Sequence, residues 1–232
     1  MPDDSFLQAR NADPGGGPRE LRRTTDHRGR VLLFQTIAWR DAGGHERFWE
    51  TVERAHGCEA VLAIPWLVPS RRLLLIRQYR PPARGFVLEF PAGIVDPGET
   101  AEQAAVRELL EETGYHGAVT RLIPPAFNTP GLSGETVHVV LMEVDESRPE
   151  NLRPVAQPDE GEHIEVALVQ ERDLARFLEE EIRKQTRFDS KVAAYLLGRG
   201  SPDTRTDPGP RAVARRNGAR RSSPAPGSRT PD

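Results

Sequence analysis

Between Gly93 and Tyr115 the chain changes abruptly from a turn-rich loop, Gly93-Ile94-Val95-Asp96-Pro97-Gly98-Glu99, to a run of alanine, glutamate, glutamine, leucine and arginine. The second part is built from strong helix formers, and it predicts a helix over Glu99–Thr113. Thr100 followed three residues later by Gln103 has the form of a capping box, and Gly114 supplies the stop. Glu108 and Glu112 are four residues apart and so share one helical face, with Glu111 beside them. Like charges at that spacing oppose helix formation, and a divalent cation is the natural compensation. Hard carboxylate oxygens suit magnesium, with manganese as the alternative. Glutamate-rich helices are common, however, and on these carboxylates alone a solvated helix face is the favoured explanation.

The flanks constrain the fold class. Val31–Ala38, Phe48–Arg54, Ala60–Leu67, Leu73–Tyr79 and Phe86–Phe90 are apolar or β-branched runs bounded by turn residues, and read as strands. Further strands are expected near Ala118–Ile123, Thr136–Val144 and His163–Val169, and helices near Glu171–Arg183 and Ser190–Leu197. The order is strands, helix, strands, helices. That order predicts an α+β chain or a sandwich-like α/β arrangement rather than strict β-α-β alternation.

The loop and helix together read G-x5-E-x7-R-E-U-x-E-E-x-G-U, with U apolar. Gly93, Glu99, Arg107, Glu108, Leu109, Glu111, Glu112, Gly114 and Tyr115 fill every specified position. This resembles the Nudix box, and the resemblance implies the Nudix fold, with the loop and helix as a platform for magnesium. It further implies Glu108 and Glu112 as the main ligands, Glu111 as a supporting ligand and the Ala92 carbonyl as another. Gly93 permits close backbone approach. Arg107 is expected to pair with Glu99, and Leu109 and Tyr115 to anchor the platform in the core.

Outside the box, Arg77-Gln78-Tyr79-Arg80-Pro81-Pro82 and Leu88-Glu89-Phe90-Pro91-Ala92-Gly93 resemble the ADP-ribose and ADP-sugar pyrophosphatase branch. So does Pro130, about sixteen residues beyond Gly114. The resemblance covers about Phe48 to Leu197. It implies Mg-dependent hydrolysis of ADP-ribose to AMP and ribose 5-phosphate. It assigns Arg80 and Arg54 to the substrate, and Trp49 to stacking on adenine. Ile94, Thr129 and Leu132 are carried over as further substrate-binding positions. A second aromatic is expected near the first strand, but Arg30-Val31-Leu32 has none there, leaving Phe34 or Trp39 as substitutes. In the loop Pro158-Asp159-Glu160-Gly161-Glu162-His163, the resemblance implies Glu162 as the general base and a further metal ligand, ahead of Glu160 and His163. The branch also implies a homodimer whose N-terminal strands cross to the partner.

Two rival readings follow from the same residues. One keeps the hydrolase and changes the substrate to another nucleotide sugar or an oxidised nucleoside diphosphate. The other is a non-catalytic ADP-ribose sensor, against which stand the complete box and the polar character of everything after Leu197.

Organisation and composition set the remaining bounds. Residues 1–19 read as a disordered tail, 20–56 as a small β subdomain for dimerisation, 57–198 as the hydrolase domain and 199–232 as a disordered Arg/Pro/Ser-rich tail. With 32 basic and 35 acidic residues the net charge is -3, which gives no reason to expect a nucleic-acid partner. Cys58 is the single cysteine, so no intramolecular disulfide or Cys-x-x-Cys metal site is available. The N-terminus lacks a secretory pattern, and no apolar run approaches the roughly 20 residues that span a bilayer. A cytoplasmic enzyme acting on a small nucleotide-sugar substrate is expected.

Overall fold

The structure is a computed structural model that describes residues 17–55 and 59–200. The readings made for the tail before residue 17, for Cys58 and for the segment after residue 200 fall outside the described residues.

Two sheets organise the chain. A three-stranded antiparallel sheet holds β1 (Arg19–Arg28), β2 (Leu32–Arg40) and β3 (Glu46–Arg54), in that order. A nine-stranded mixed sheet holds β4 (Glu59–Val68), β5 (Arg72–Arg80), β6 (Gly85–Glu89), β7 (Ala92–Ile94), β8 (Ala118–Leu122), β9 (Ala126–Phe127), β10 (Thr136–Asp145), β11 (Ile164–Gln170) and β12 (Arg187–Phe188). Its spine runs β12-β6-β5-β4-β10-β8. The short β7 pairs with β4, β9 with β10, and β11 with β5. The helices are α1 (Ala101–Thr113), α2 (Leu174–Arg183) and α3 (Ser190–Gly200).

The sandwich follows from side-chain alternation on the two central strands. In β4, Val61, Ala63 and Leu67 face α1, while Leu62 and Ile64 face α2 and α3. In β5, Leu74 and Ile76 take the α1 side and Leu73 and Leu75 the other. A strand covered on both faces must be apolar at nearly every position, which is why these two read as continuous runs. The α1 side is closed by Ala104, Ala105 and Leu109, and the opposite side by Leu174, Leu178, Val192 and Leu196. The chain is therefore an α/β/α sandwich, in line with the sandwich-like α/β arrangement that the order of elements predicts.

Helix α1 carries both sequence-level termini. The Thr100 side chain accepts from the Gln103 backbone N–H while the Gln103 side chain accepts from the Thr100 N–H. Gly114 caps the other end in the left-handed region (φ 75°). A Cβ at Gly114 would lie 2.3 Å from the Val155 nitrogen, so a close crossing of chains also requires glycine there.

Four strands lay beyond the sequence reading. β1 is strongly polar and exposed at every position, so it shows no hydrophobic period. β7, β9 and β12 are two or three residues long, too short for a pattern to register. The helix expected from Glu171 begins with a 3-10 turn over Glu171–Asp173 and becomes α-helical only at Leu174.

Candidate active site

Where β4, β7 and α1 meet, the sheet opens into a cavity of about 620 Å³. Its floor is the box: Ala92, Gly93 and Ile94 from β7, with Arg107, Glu108, Glu111 and Glu112 from α1. Arg80 and Glu89, from β5 and β6, form one wall, and Asp159 and Glu162 reach in from the loop before β11. Arg54, at the end of β3, closes the far side together with Asn128, Glu135, Asp189 and Lys191.

Arg107 ties loop to helix. Its guanidinium donates to both Glu99 oxygens, at 3.0 and 2.9 Å, and to the Ile94 carbonyl at 2.9 Å. The same group reaches Glu108 at 2.7 Å and Glu111 at 3.1 Å. The charge-assisted bonds from Arg107 hold the Glu99 carboxyl below its usual range. Gly93 lies so close to Glu108 that a Cβ there would sit 1.8 Å from Oε1. The glycine is required by the carboxylate it faces.

Glu112 is 4% exposed and accepts one hydrogen bond, from the Ala92 backbone N–H at 3.1 Å. Burial, reinforced by the charge of Glu108, pushes its carboxyl up to about 8. Burial also raises Glu108, against the pull of Arg107. Both shifts mean that negative charge at the cavity floor is only partly compensated by the protein. Buried hard-oxygen donors short of positive charge are what a divalent cation fits. Among the described residues no three acidic, histidine or cysteine side chains close on a single point. Arg107 holds Glu108 and Glu111, and the Ala92 N–H holds Glu112.

Arg80 grips Glu89 with three contacts of 2.7 to 3.1 Å, and Arg54 pairs with Glu135. Both arginines therefore enter the cavity already oriented by a carboxylate. Glu162 accepts from the Gln78 amide at 3.1 Å and from the Asp159 N–H at 3.3 Å. Of the other candidates for the base, neither Glu160 nor His163 lines the cavity.

Three of the substrate-binding candidates lie outside the cavity wall. Trp49 is half-exposed, and its indole N–H donates to the Gly131 carbonyl at 3.2 Å. The Thr129 carbonyl accepts from Leu132 and Ser133, and the Leu132 carbonyl accepts from Thr51 and Val52. This turn clasps β3, so its contacts join the small sheet to the large one. Phe34 and Trp39, the candidate second aromatics, are likewise absent from the cavity lining. Leu109 and Tyr115 are buried in the core beneath the platform.

Sequence reasoning did not single out Glu89, Asn128, Glu135, Asp189 or Lys191. Lys191 donates to Asn128 at 3.0 Å and to its near neighbour Asp189 at 2.9 Å, so two distant segments meet in this wall. Glu89 alone gave a signal, as an acid inside the apolar run Phe86–Phe90.

A solved structure described as an ADP compounds hydrolase superposes with a TM-score of 0.58 at 23% identity, over 78% of this chain and 91% of that one. At that identity the likeness speaks for the fold. An uncharacterized Nudix hydrolase of Schizosaccharomyces pombe is 39% identical over 71% of this chain and 83% of its own. An ADP-sugar pyrophosphatase of Mus musculus is 38% identical, covering 73% and 81%. An ADP-ribose pyrophosphatase of Saccharomyces cerevisiae is 36% identical, covering 78% and 80%. The NUDIX domain family model matches residues 58–189, more than half of the chain and the whole platform described above. The chain belongs to the Nudix hydrolase family.

Proposed function

We propose that this protein hydrolyses the diphosphate bond of ADP-ribose and related ADP-sugars, giving AMP and the sugar phosphate. The observation that carries this reading is one cavity walled by the box carboxylates, by Glu162 and by Arg54 and Arg80. The relatives named for ADP-sugars and ADP-ribose support the substrate class.

Glu108 and Glu112, with Glu111, Glu162 and the Ala92 carbonyl, are the residues that would hold a divalent cation, magnesium or alternatively manganese. Such an ion supplies positive charge to the diphosphate and makes water more acidic. The protein's own groups carry the remaining roles. Glu162 takes a proton from the attacking water. Arg80, steadied by Glu89, donates N–H groups to the diphosphate oxygens and stabilises the charge that develops as the P–O bond breaks. Arg54 acts in the same way at the far wall. Arg107 is the brace of the platform. No covalent intermediate with a protein side chain is needed.

The position of Trp49 outside the cavity wall favours one alternative, in which the base is less strictly selected and another nucleotide sugar is the better substrate. Thr129 and Leu132 then act by positioning β3.

The small sheet supports a homodimer. Leu32 and Phe34 on β2 and Phe48 on β3 lie on one face, because Phe34 pairs with Val52 and Ala38 with Phe48, and alternate residues share a face. Phe48 is 63% exposed and Leu32 48%. Three exposed apolar side chains on that face, set among Thr36, Glu50 and Arg40, are suited to covering by a second copy. No described helix is long and apolar enough to cross a membrane.

Incubation with ADP-ribose and magnesium tests the reading. AMP and ribose 5-phosphate in equal amounts, abolished by chelator, are expected. Intact ADP-ribose after prolonged incubation with either metal would overturn it.

A further inference from the structure

Along β5 the side chains facing α1 are Leu74, Ile76, Gln78 and Arg80, in steps of two. Position 78 is 4% exposed, and a leucine or methionine there would extend the apolar stripe. Instead the glutamine sends its amide N–H₂ to Glu162 Oε1 at 3.1 Å, while its amide oxygen is buried without a partner among the described residues. A buried, unpaired acceptor is destabilising, because the hydrogen bond it loses to water is not replaced. Packing therefore does not account for a glutamine at this place, whereas the bond to Glu162 does.

Glu162 needs such a partner. It lies in a stretch without helix or strand, and its carboxylate's other contact, the Asp159 N–H, belongs to the same loop. Gln78, by contrast, stands on a strand paired on both sides, with β6 at Val87 and with β11 at Ile164. The neighbouring His163 ring meets Phe86 edge-on, 5.6 Å between centroids, a contact that ties the loop to β6 but does not involve the Glu162 carboxylate. A glutamate side chain loses rotamer freedom when it is fixed, and a contact made before substrate arrives removes that cost from the reaction step.

We propose that Gln78 is a positioning residue for the hydrolysis, whose amide holds the Glu162 carboxylate over the cavity in the orientation from which it receives the proton of the attacking water. The inference rests on the reading of Glu162 given under Proposed function. Gln78 itself touches neither substrate nor water in this scheme.

A kinetic double-mutant cycle on the full chain, with ADP-ribose and magnesium, separates the possibilities. Gln78→Met removes the donor at nearly constant volume. We expect kcat to fall about 10- to 100-fold, the range for losing a partner that orients a catalytic group, with KM within about threefold. The melting temperature should stay equal or rise, because the unpaired oxygen is gone. In a Glu162→Gln background the same substitution should cost nothing further. Gln78→Asn, one methylene shorter, should lose activity similarly, and it guards against Gln78→Met failing to fold. Wild-type kcat in both Gln78 variants would overturn the proposal. So would an equal loss in both Glu162 backgrounds, since Gln78 would then act through the fold. If Glu162→Gln alone kept full activity, the reading of Glu162 would fail and the positioning role with it. Loss in Glu162→Gln beside full activity in Gln78→Met would overturn the positioning role alone.

Discussion

Glu112 is almost fully buried, is held by a single backbone N–H, and has its carboxyl pushed up to about 8 by burial and then by the charge of Glu108. Its pH dependence follows from linkage. Below about 4.5 the group is protonated in both folded and unfolded chains and makes no difference. As pH rises from there to about 8 the native state binds more protons than the unfolded one, so metal-free stability falls through that window. Melting curves in chelator between pH 5 and 8 should show the wild-type midpoint falling relative to Glu112→Gln, which has no charge to bury. Parallel midpoints would contradict the assignment. Metal-dependent turnover in Glu112→Gln should drop by more than the roughly 10–100-fold that losing an outer partner costs. The residues of the box were legible in the sequence because each answers a local demand: a glycine against a carboxylate, an arginine among four acids, glutamates on one face. Glu135, Asn128, Asp189 and Lys191 were not, because they meet only when two segments far apart in sequence are folded together.

At the scale of elements, α1 is a short helix that has to keep its glutamates on the cavity side while Ala104, Ala105 and Leu109 hold the sheet. Its capping box fixes where the first turn starts, and Arg107 bonded to Glu99 and Ile94 fixes the loop before it. Thr100→Ala should therefore cost about 1 kcal/mol of stability by denaturant unfolding, with turnover nearly unchanged once the protein is folded. Gly93→Ala is expected to do the opposite, losing most activity at little cost in stability, because the new methyl displaces the Glu108 carboxylate rather than the core. A Gly93→Ala enzyme of wild-type activity would show that the close approach is incidental. Strands β4 and β5 were readable as buried runs. β1 was not, since an element exposed at every position obeys no hydrophobic period, and its pairing with β2 is what makes it a strand.

The whole molecule joins a two-faced sandwich to a small sheet through the turn at Thr129–Leu132 and the Arg54–Glu135 pair. That junction matters for function, because it brings Arg54 from the small sheet to the wall of a cavity otherwise built by the large one. The exposed Leu32, Phe34 and Phe48 belong to the same sheet, so the proposed dimer would couple assembly to substrate binding. Phe48→Glu should give a monomer in sedimentation velocity, with a raised KM for ADP-ribose if a covered sheet is needed to hold Arg54. A wild-type chain already monomeric at micromolar concentration would contradict the dimer. Trp49 marks the limit of sequence reading at this scale: the family resemblance assigns it to the base, and where it stands depends on how the two sheets dock.

The central claim is that these carboxylates and arginines serve one reaction on one class of substrate. It is tested most directly by ion-pair chromatography of the products from ADP-ribose, ADP-glucose, GDP-mannose, NADH and 8-oxo-dGDP, each supplied separately with magnesium and with Glu112→Gln protein as the blank. The account predicts AMP and ribose 5-phosphate formed fastest from ADP-ribose, with the blank silent. No turnover of any substrate alongside tight binding of ADP-ribose would contradict it, and would mean that an intact box is used for sensing.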